Sequence, residues 1–465
     1  MKIRKVRYKD HPILGNLELD FVNHDTDQVY DNIIFVGENG TGKSTILETL
    51  NAFLCMEGNL SIDYLEYEIN ESQGGIYSAS PLKGRNMLPS FYVRKNMGTG
   101  KEENIRRARN FNFSEIEQDP LDIYHYGCVL SSAKANYKTK KITSTTSTTI
   151  DDNKYLSDSD DDYTPLKQMI VDLDDADNQE YRRLNRERDI TKQDPLREMD
   201  FAPNSKMYRF SHAFSEFFGN VIFSRVKTEN GEKKVLFTKG DNEIAIDDLS
   251  TGEKQIVFRG AYLLRNLERL NGAIIMVDEP EMSMHPKWAS RILDFYTNIF
   301  RDSNRIQKSQ IFFASHSDHV VKNALKDSDK NLVIVLRIEN GILNVMRMNK
   351  STILPVITSA EVNYLAFNLP SIDLHTELFG YLQSITERNK VGEIDKYIEE
   401  QPEYNQKIHE KMSGRNGDQY HTLCSFVRNE IDHPNSIPKF SNDQLQESIS
   451  LLIQIIKSAR GKRVS

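Results

Sequence analysis

Cysteine is scarce in this chain. Only Cys55, Cys128 and Cys424 occur among 465 residues, and no two share a paired spacing. That argues against a disulfide framework or a zinc site, and suits a reducing, cytoplasmic setting. Long apolar runs are also missing. Those near Ile274 and Leu332 are far too short to span a bilayer, and residues 1–10 are charged rather than leader-like, so no membrane partner is expected. A basic excess is missing too: 60 Lys and Arg face 68 Asp and Glu, for a net charge of −8. Bulk charge therefore does not make the molecule a nucleic-acid binder, although a local basic patch stays possible. Between residues 45 and 250 no sustained heptads appear, so a long coiled-coil arm is not expected. The length suits two or three domains with a sizeable core.

What is present is organised around residues 32–45, Asn-Ile-Ile-Phe-Val-Gly-Glu-Asn-Gly-Thr-Gly-Lys-Ser-Thr. An apolar run reads as a buried strand and a glycine turn follows. Residues 44–55 then read as a helix, with Ile46, Leu47, Leu50 and Leu54 at helical spacing. This is the strand–loop–helix context of a phosphate-binding G-x-x-x-x-G-K-[ST] loop. Gly37, Glu38, Asn39, Gly40, Thr41 and Gly42 would wrap backbone N–H groups around phosphate oxygens at the positive end of the helix. Lys43 would reach the β- and γ-phosphates of ATP, Ser44 would hold Mg²⁺, and Thr45 ends the binding stretch. Gly98-Thr99-Gly100-Lys101 looks similar but lacks the earlier glycine and reads as a loop.

Around this loop, residues 2–8 and 14–21 read as strands of a half-exposed ribbon, with Leu17, Leu19 and Phe21 alternating with polar residues. Residues 51–122 mix strand-like pieces with Arg106-Arg107-Ala108-Arg109, a run read as a solvated face. Residues 134–162 are rich in Ser, Thr and Asp and read as a mobile loop. The aspartates there lack the glycine and glutamate spacing of a calcium loop. Helices are expected at 166–189 and 210–218, then a hairpin turning at Asn230-Gly231. At residues 248–255, Asp-Leu-Ser-Thr-Gly-Glu-Lys-Gln, Ser250 is a good N-cap for a helix with Val257, Ala261, Leu264 and Leu267 on one stripe. Residues 274–278 read as a buried strand ending in Asp278 and Glu279. Asp278 would hold the Mg²⁺ shell, and Glu279 would polarise the attacking water. A further strand, 310–315, ends at His316.

These four motifs, in this order, resemble the ABC-type ATPase head of SMC-like proteins and prokaryotic defence ATPases. The resemblance spans residues 1–348. It implies an α/β P-loop head with an inserted helical or arm region at about 51–240. It also implies that Ser250, Gly252 and Glu253 meet the ATP held by an opposite protomer, and that His316 contacts the γ-phosphate. A complete site would need two heads, so the chain's first partner would be itself. Thr251 and Glu253 depart from the transporter form of this signature. Gln73 is the candidate for the glutamine of the Q-loop.

Beyond residue 348 the pattern becomes helical. Leu374, Leu378, Tyr381 and Ile385 share one face, and helices are expected at 394–400, 404–412, 420–431 and 444–459. Residues 349–465 therefore read as a small all-α domain. Within it, Arg428, Asn429 and His433 resemble the Arg-Asn-x-x-x-His motif of HEPN-type ribonucleases, which need no metal. On a straight helix Arg428 and His433 would diverge by about 140°. Pro434 places His433 at a helix end, where it can turn back.

The layout, with Asp-Glu-Pro-Glu-Met-Ser-Met-His-Pro at 278–286 and Phe-Asn-Leu-Pro-Ser-Ile-Asp-Leu-His at 367–375, resembles the PtuA-type ATPases of Septu and retron anti-phage systems. That resemblance implies a homo-oligomer of low turnover, bound to an HNH nuclease of the PtuB type, with nucleic acid reached through the complex. No HNH or zinc constellation occurs in the chain. The Asp-Ser-Asp at 327–329 lies on the wrong side of its strand for a Toprim nuclease. Two readings stand: a nucleotide-gated regulatory scaffold, or a self-contained ATP-gated ribonuclease acting through Arg428 and His433.

Overall fold

Five parallel strands, drawn from residues 32–315, make up most of the main sheet. In the computed structural model they lie in the order Tyr155–Ser157, Cys128–Ser131, Ile274–Asp278, Gln310–Ser315, Asn32–Gly37. The structure describes residues 1–465 except 58–60, 70–73, 84, 109–110, 134–139, 145–154, 158–162, 202–204, 220, 265–271, 302–305, 350–351, 416–417, 434–439 and 465. The inner strands are continuous apolar runs because both faces of a parallel sheet are covered. All six residues of Asn32–Gly37 and all six of Gln310–Ser315 are buried. Gln310–Ser315 lies between the P-loop strand and the Asp278 strand, so three strand ends meet on one side. Phe21, Phe35 and Phe312 pack together in the core, with Phe21 edge-on to Phe312 at 5.1 Å between ring centres.

A second, antiparallel sheet has the order Glu18–Asp20, Lys2–Tyr8, Ile62–Ile69, Gly75–Ser80, Phe91–Asn96, Glu102–Arg106. The first part of the expected helical insertion is therefore β-structure. Its alternation is plain in Ile62, Leu65, Tyr67 and Ile69, all buried. Arg4 fastens this sheet by ion pairs to Asp27, Glu66 and Glu68. Arg107 is not on a solvated face: its guanidinium is buried against the Asp122 carboxylate. Helices follow at Thr164–Ile190 and Lys206–Phe218, then the strands Val221–Glu229, Glu232–Lys239 and Asn242–Ala245. Gln73, Leu267 and most of the 134–162 loop lie outside the described residues.

The chain divides into two units, Met1–Leu332 and Val333–Ser465, inside the strand Asn331–Glu339. The boundary expected from the sequence lies after residue 348. The second unit is built on Ile372–Thr386, Val391–Glu399, Leu423–Asp432 and Asn442–Val464. Leu374, Leu378 and Leu382, one turn apart, pack with Ile394, Val427, Ile449 and Leu452. Ser371 caps the first of these helices through a bond from the Leu374 N–H. One feature departs from an all-helical tail: Glu410–Arg415 and Asp418–Thr422 form an antiparallel hairpin. Asp395 holds it by accepting from the His421 and Thr422 N–H groups and from the Thr422 hydroxyl. Gly414 is a poor helix former. No helix among the described residues is long and apolar enough to cross a membrane.

Candidate nucleotide site

The site begins where the P-loop strand ends. Glu38, Asn39 and Gly40 are exposed, and Gly42 is the N-cap of the helix Lys43–Leu54. Gly40 and Gly42 have φ of 81° and 89°, the left-handed region that glycine enters without strain. A Cβ on Gly42 would also stand 2.7 Å from the Leu14 side chain. The Lys43 amine donates to the Gly37 and Glu38 carbonyls, each at 2.9 Å, and so lies folded over the loop. Burial lowers its pKa to about 8, against the opposing pull of Asp278, Glu279 and Glu281.

Ser44 follows, and its hydroxyl donates to Asp278 Oδ1 at 3.1 Å. The two groups are far apart in sequence and are joined because their strands are separated only by Gln310–Ser315. Burial raises the Asp278 pKa, and Glu279 adds to that rise. Glu279 has φ of 44°, left-handed and costly for a residue with a side chain. Its Oε1 lies 3.7 Å from His316 Nε2. Burial first, and the Lys43 charge second, lower the His316 pKa. Lys43, Ser44, Asp278, Glu279 and His316 thus converge at the carboxyl end of the sheet, where open α/β sheets bind ligands.

Two residues that shape this end were not singled out from the sequence. Glu281 Oε1 accepts from the Ser315 hydroxyl at 2.7 Å and from the His316 N–H at 3.1 Å. It therefore ties the turn after the Asp278 strand to the turn that carries His316. Arg259, only 1% exposed, donates to the Asp278 and Glu279 carbonyls at 2.7 and 3.1 Å and to the Ser132 carbonyl. The signals were present: a third carboxylate in Asp-Glu-Pro-Glu, and an arginine among the apolar positions of residues 256–263.

The helix Thr251–Leu264 starts with a capping box. Glu253 Oε2 accepts from the Ser250 N–H at 2.9 Å and the Ser250 hydroxyl at 2.8 Å, while Oε1 accepts from Lys239 at 2.7 Å. Glu253 is only 2% exposed, so its carboxylate is committed to the cap and to Lys239. Ser250 is exposed and stays available at the surface. Gly252 is buried, and a Cβ there would meet the Ser283 carbonyl at 2.7 Å.

In the second unit, Arg428 and Asn429 are half-buried on the helix Leu423–Asp432, and His433 is its exposed C-cap, with φ −126° and ψ 68°. His433 does leave the helix, as a residue before proline should. Arg428, however, pairs with Asp432 one turn on and lies 5.9 Å from the Phe379 ring centre. Burial lowers its pKa. Among the described residues Arg428 makes no hydrogen bond or ion pair with His433.

The family described as "AAA domain, putative AbiEii toxin, Type IV TA system" matches residues 157–322, a stretch holding Ser250, Gly252, Asp278, Glu279 and His316. No curated protein matches the chain. Among solved structures, it is similar to an Smc head bound to the C-winged helix domain of ScpA, at 16% identity over 75% of this chain and 97% of that one, with a TM-score of 0.39. It is also similar to the SMC head domain from Thermotoga maritima, at 14% identity over 74% of this chain and 98% of that one, with a TM-score of 0.35. A third likeness is an Smc head with an extended coiled coil, bound to the C-terminal domain of ScpA derived from Pyrococcus furiosus. It has 15% identity over 74% of this chain and 96% of that one, with a TM-score of 0.37.

Proposed function

We propose that this chain binds and slowly hydrolyses ATP, pairs head to head across shared nucleotide, and controls a nuclease partner in an anti-phage complex. One observation supports this above the others: Lys43, the Ser44–Asp278 pair, Glu279 and His316 meet at the carboxyl end of one sheet. The donor set fits Mg²⁺-ATP. Ser44 and Asp278, already in contact, would hold the metal, which would neutralise charge between the phosphates. Lys43 would exchange its two carbonyl partners for phosphate oxygens, joined by the N–H groups around Gly40 and Gly42. Glu279 would orient water and take its proton. His316 would donate a hydrogen bond to the terminal phosphate. The exposed Ser250, beside the close-packed Gly252, would meet nucleotide held by a second copy.

The chain carries no HNH or Toprim constellation in its sequence, so chemistry on nucleic acid is assigned to a partner, an HNH nuclease of the PtuB type. The test pairs two variants. Lys43→Ala should weaken Mg²⁺-ATP binding at least tenfold in calorimetry, because it removes a buried cation from the phosphates. Glu279→Gln should keep that affinity, stop turnover and accumulate ATP-dependent dimers seen by light scattering. Unchanged affinity in the first variant would sink the nucleotide site. An absence of dimers in the second would remove shared nucleotide from the reading.

A further inference from the structure

Two thiols remote in sequence meet behind the P-loop helix. Cys55 is the C-cap of Lys43–Leu54, and Cys128 opens the strand that pairs with Ile274–Asp278. Both are free, yet their sulfurs stand 2.7 Å apart, inside the separation of two sulfurs in ordinary contact. Asn51 braces the pair. Its Oδ1 accepts from Cys55 Sγ at 3.5 Å and from Cys128 Sγ at 3.6 Å, and its backbone carbonyl from Cys128 Sγ at 3.8 Å. The two differ in access: Cys128 is fully buried and Cys55 half-buried. The third cysteine provides a contrast. Cys424 is buried, donates to the Ser448 carbonyl, and its thiol is pushed up to about 12 by burial.

We infer that Cys55 and Cys128 form a reversible redox modification site whose oxidant is a peroxide. The more accessible Cys55, as thiolate, attacks one peroxide oxygen. An S–O bond forms, the O–O bond breaks, and the leaving hydroxide takes up the thiol proton as water. Cys128 then attacks the Cys55 sulfenic sulfur. The S–S bond forms, the S–O bond breaks, and the departing hydroxide takes the Cys128 proton. Two thiols and one hydrogen peroxide give one disulfide and two waters, with two electrons passing from sulfur to peroxide. Burial holds the Cys128 thiol well above its ordinary pKa. Cys128 is thus the resolving partner, activated only by the hydroxide leaving beside it. The bridge would close a loop of about seventy residues and pin the far end of the P-loop helix to the strand beside Ile274–Asp278. Lys43 and Ser44 lie at the other end of that helix.

The experiment treats the reduced full-length chain with stoichiometric hydrogen peroxide and maps peptides without reductant. The expected map links Cys55 to Cys128, leaves Cys424 as a thiol, and reverts with dithiothreitol. The melting temperature of the oxidised chain should rise by several degrees. Cys128→Ser should strand Cys55 as a sulfenic acid that dimedone traps, and Cys55→Ser should leave Cys128 unoxidised. The wild-type map alone decides the matter, whether or not the variants fold. Three surviving thiols, over-oxidised Cys55 without a bridge, or a link between chains would each overturn the proposal.

Discussion

A carboxylate shut away from water needs a donor for each oxygen, and Glu281 has donors for one. Its Oε2 is buried with no partner among the described residues, and burial raises its pKa. Such an arrangement persists only where position matters, and here the position held is that of His316. Glu281→Ala would leave the Ser315 hydroxyl and the His316 N–H without an acceptor, at a cost of about 1–3 kcal/mol. ATPase kcat should fall several-fold while KM for ATP holds, because the Lys43 loop is untouched. Glu281→Gln keeps one acceptor oxygen and should restore most of the rate. Steady-state kinetics and thermal melts of both variants check this. Equal loss of rate in the two would show that charge, and not position, is what Glu281 contributes.

Elements are limited by how closely their backbones approach. The helix Thr251–Leu264 begins against the turn at Ser283, which itself has φ of 59°. Gly252→Ala would place a methyl group 2.7 Å from the Ser283 carbonyl, a backbone atom that cannot rotate aside. The expected cost is about 1–3 kcal/mol of stability, together with weaker ATP-dependent assembly, because Ser250 and the 281–284 turn would shift. Melting curves and light scattering read both effects, and an unchanged melting temperature would contradict the packing argument. A second element carries a pH dependence. On Ile372–Thr386, His375 is fully buried with Nε2 2.9 Å from the Ser448 hydroxyl. Burial first, and the Arg428 charge second, push its pKa down to about 3. Below the ordinary value of about 6.5, the unfolded chain takes a proton that the folded one refuses. Stability of the second unit should therefore fall as pH drops from about 6.5 towards 3, by roughly 1.4 kcal/mol per pH unit. Denaturant melts at pH 7 and pH 5 measure this, and His375→Gln should flatten the slope. A slope unchanged by that substitution would assign the acid sensitivity to other groups.

At the scale of the whole molecule, the question is whether chemistry on nucleic acid lies in this chain or in a partner. Arg428 is drawn into an ion pair with Asp432 and against Phe379, while His433 is exposed. The scaffold reading then expects Arg428→Ala to lower the melting temperature and His433→Ala to leave it alone. Neither protein, nor the wild type, should cleave tRNA in EDTA. Metal-free cleavage by the wild type, lost in both variants without loss of stability, would establish the ribonuclease instead. The net charge of −8 agrees with a partner bringing the nucleic-acid surface.

Short-range order was legible because its causes are short-range. The P-loop glycines, the apolar strand ending at Asp278, the Ser250 cap and the Leu374–Leu378 stripe each depend on residues within a few positions of one another, and periodicity reports those directly. Periodicity shows that a residue is buried but not what it is buried against. The helix expected at 404–412 is Gln406–His409 followed by the strand Glu410–Arg415, which pairs with Asp418–Thr422, a strand held by Asp395. Arg107 looked solvated and is buried with Asp122. Cys55 and Cys128 looked solitary, and Arg259 and Glu281 looked incidental. In each case the deciding partner lies beyond the few positions that periodicity reads, 15 residues away for Arg107 and Asp122 and 73 for Cys55 and Cys128, and is brought near by the fold. The sequence by itself determined which segments could bind phosphate and which must be buried. The tertiary structure decided which carboxylate holds His316, which arginine holds the ends of Asp278 and Glu279, and which two thiols touch.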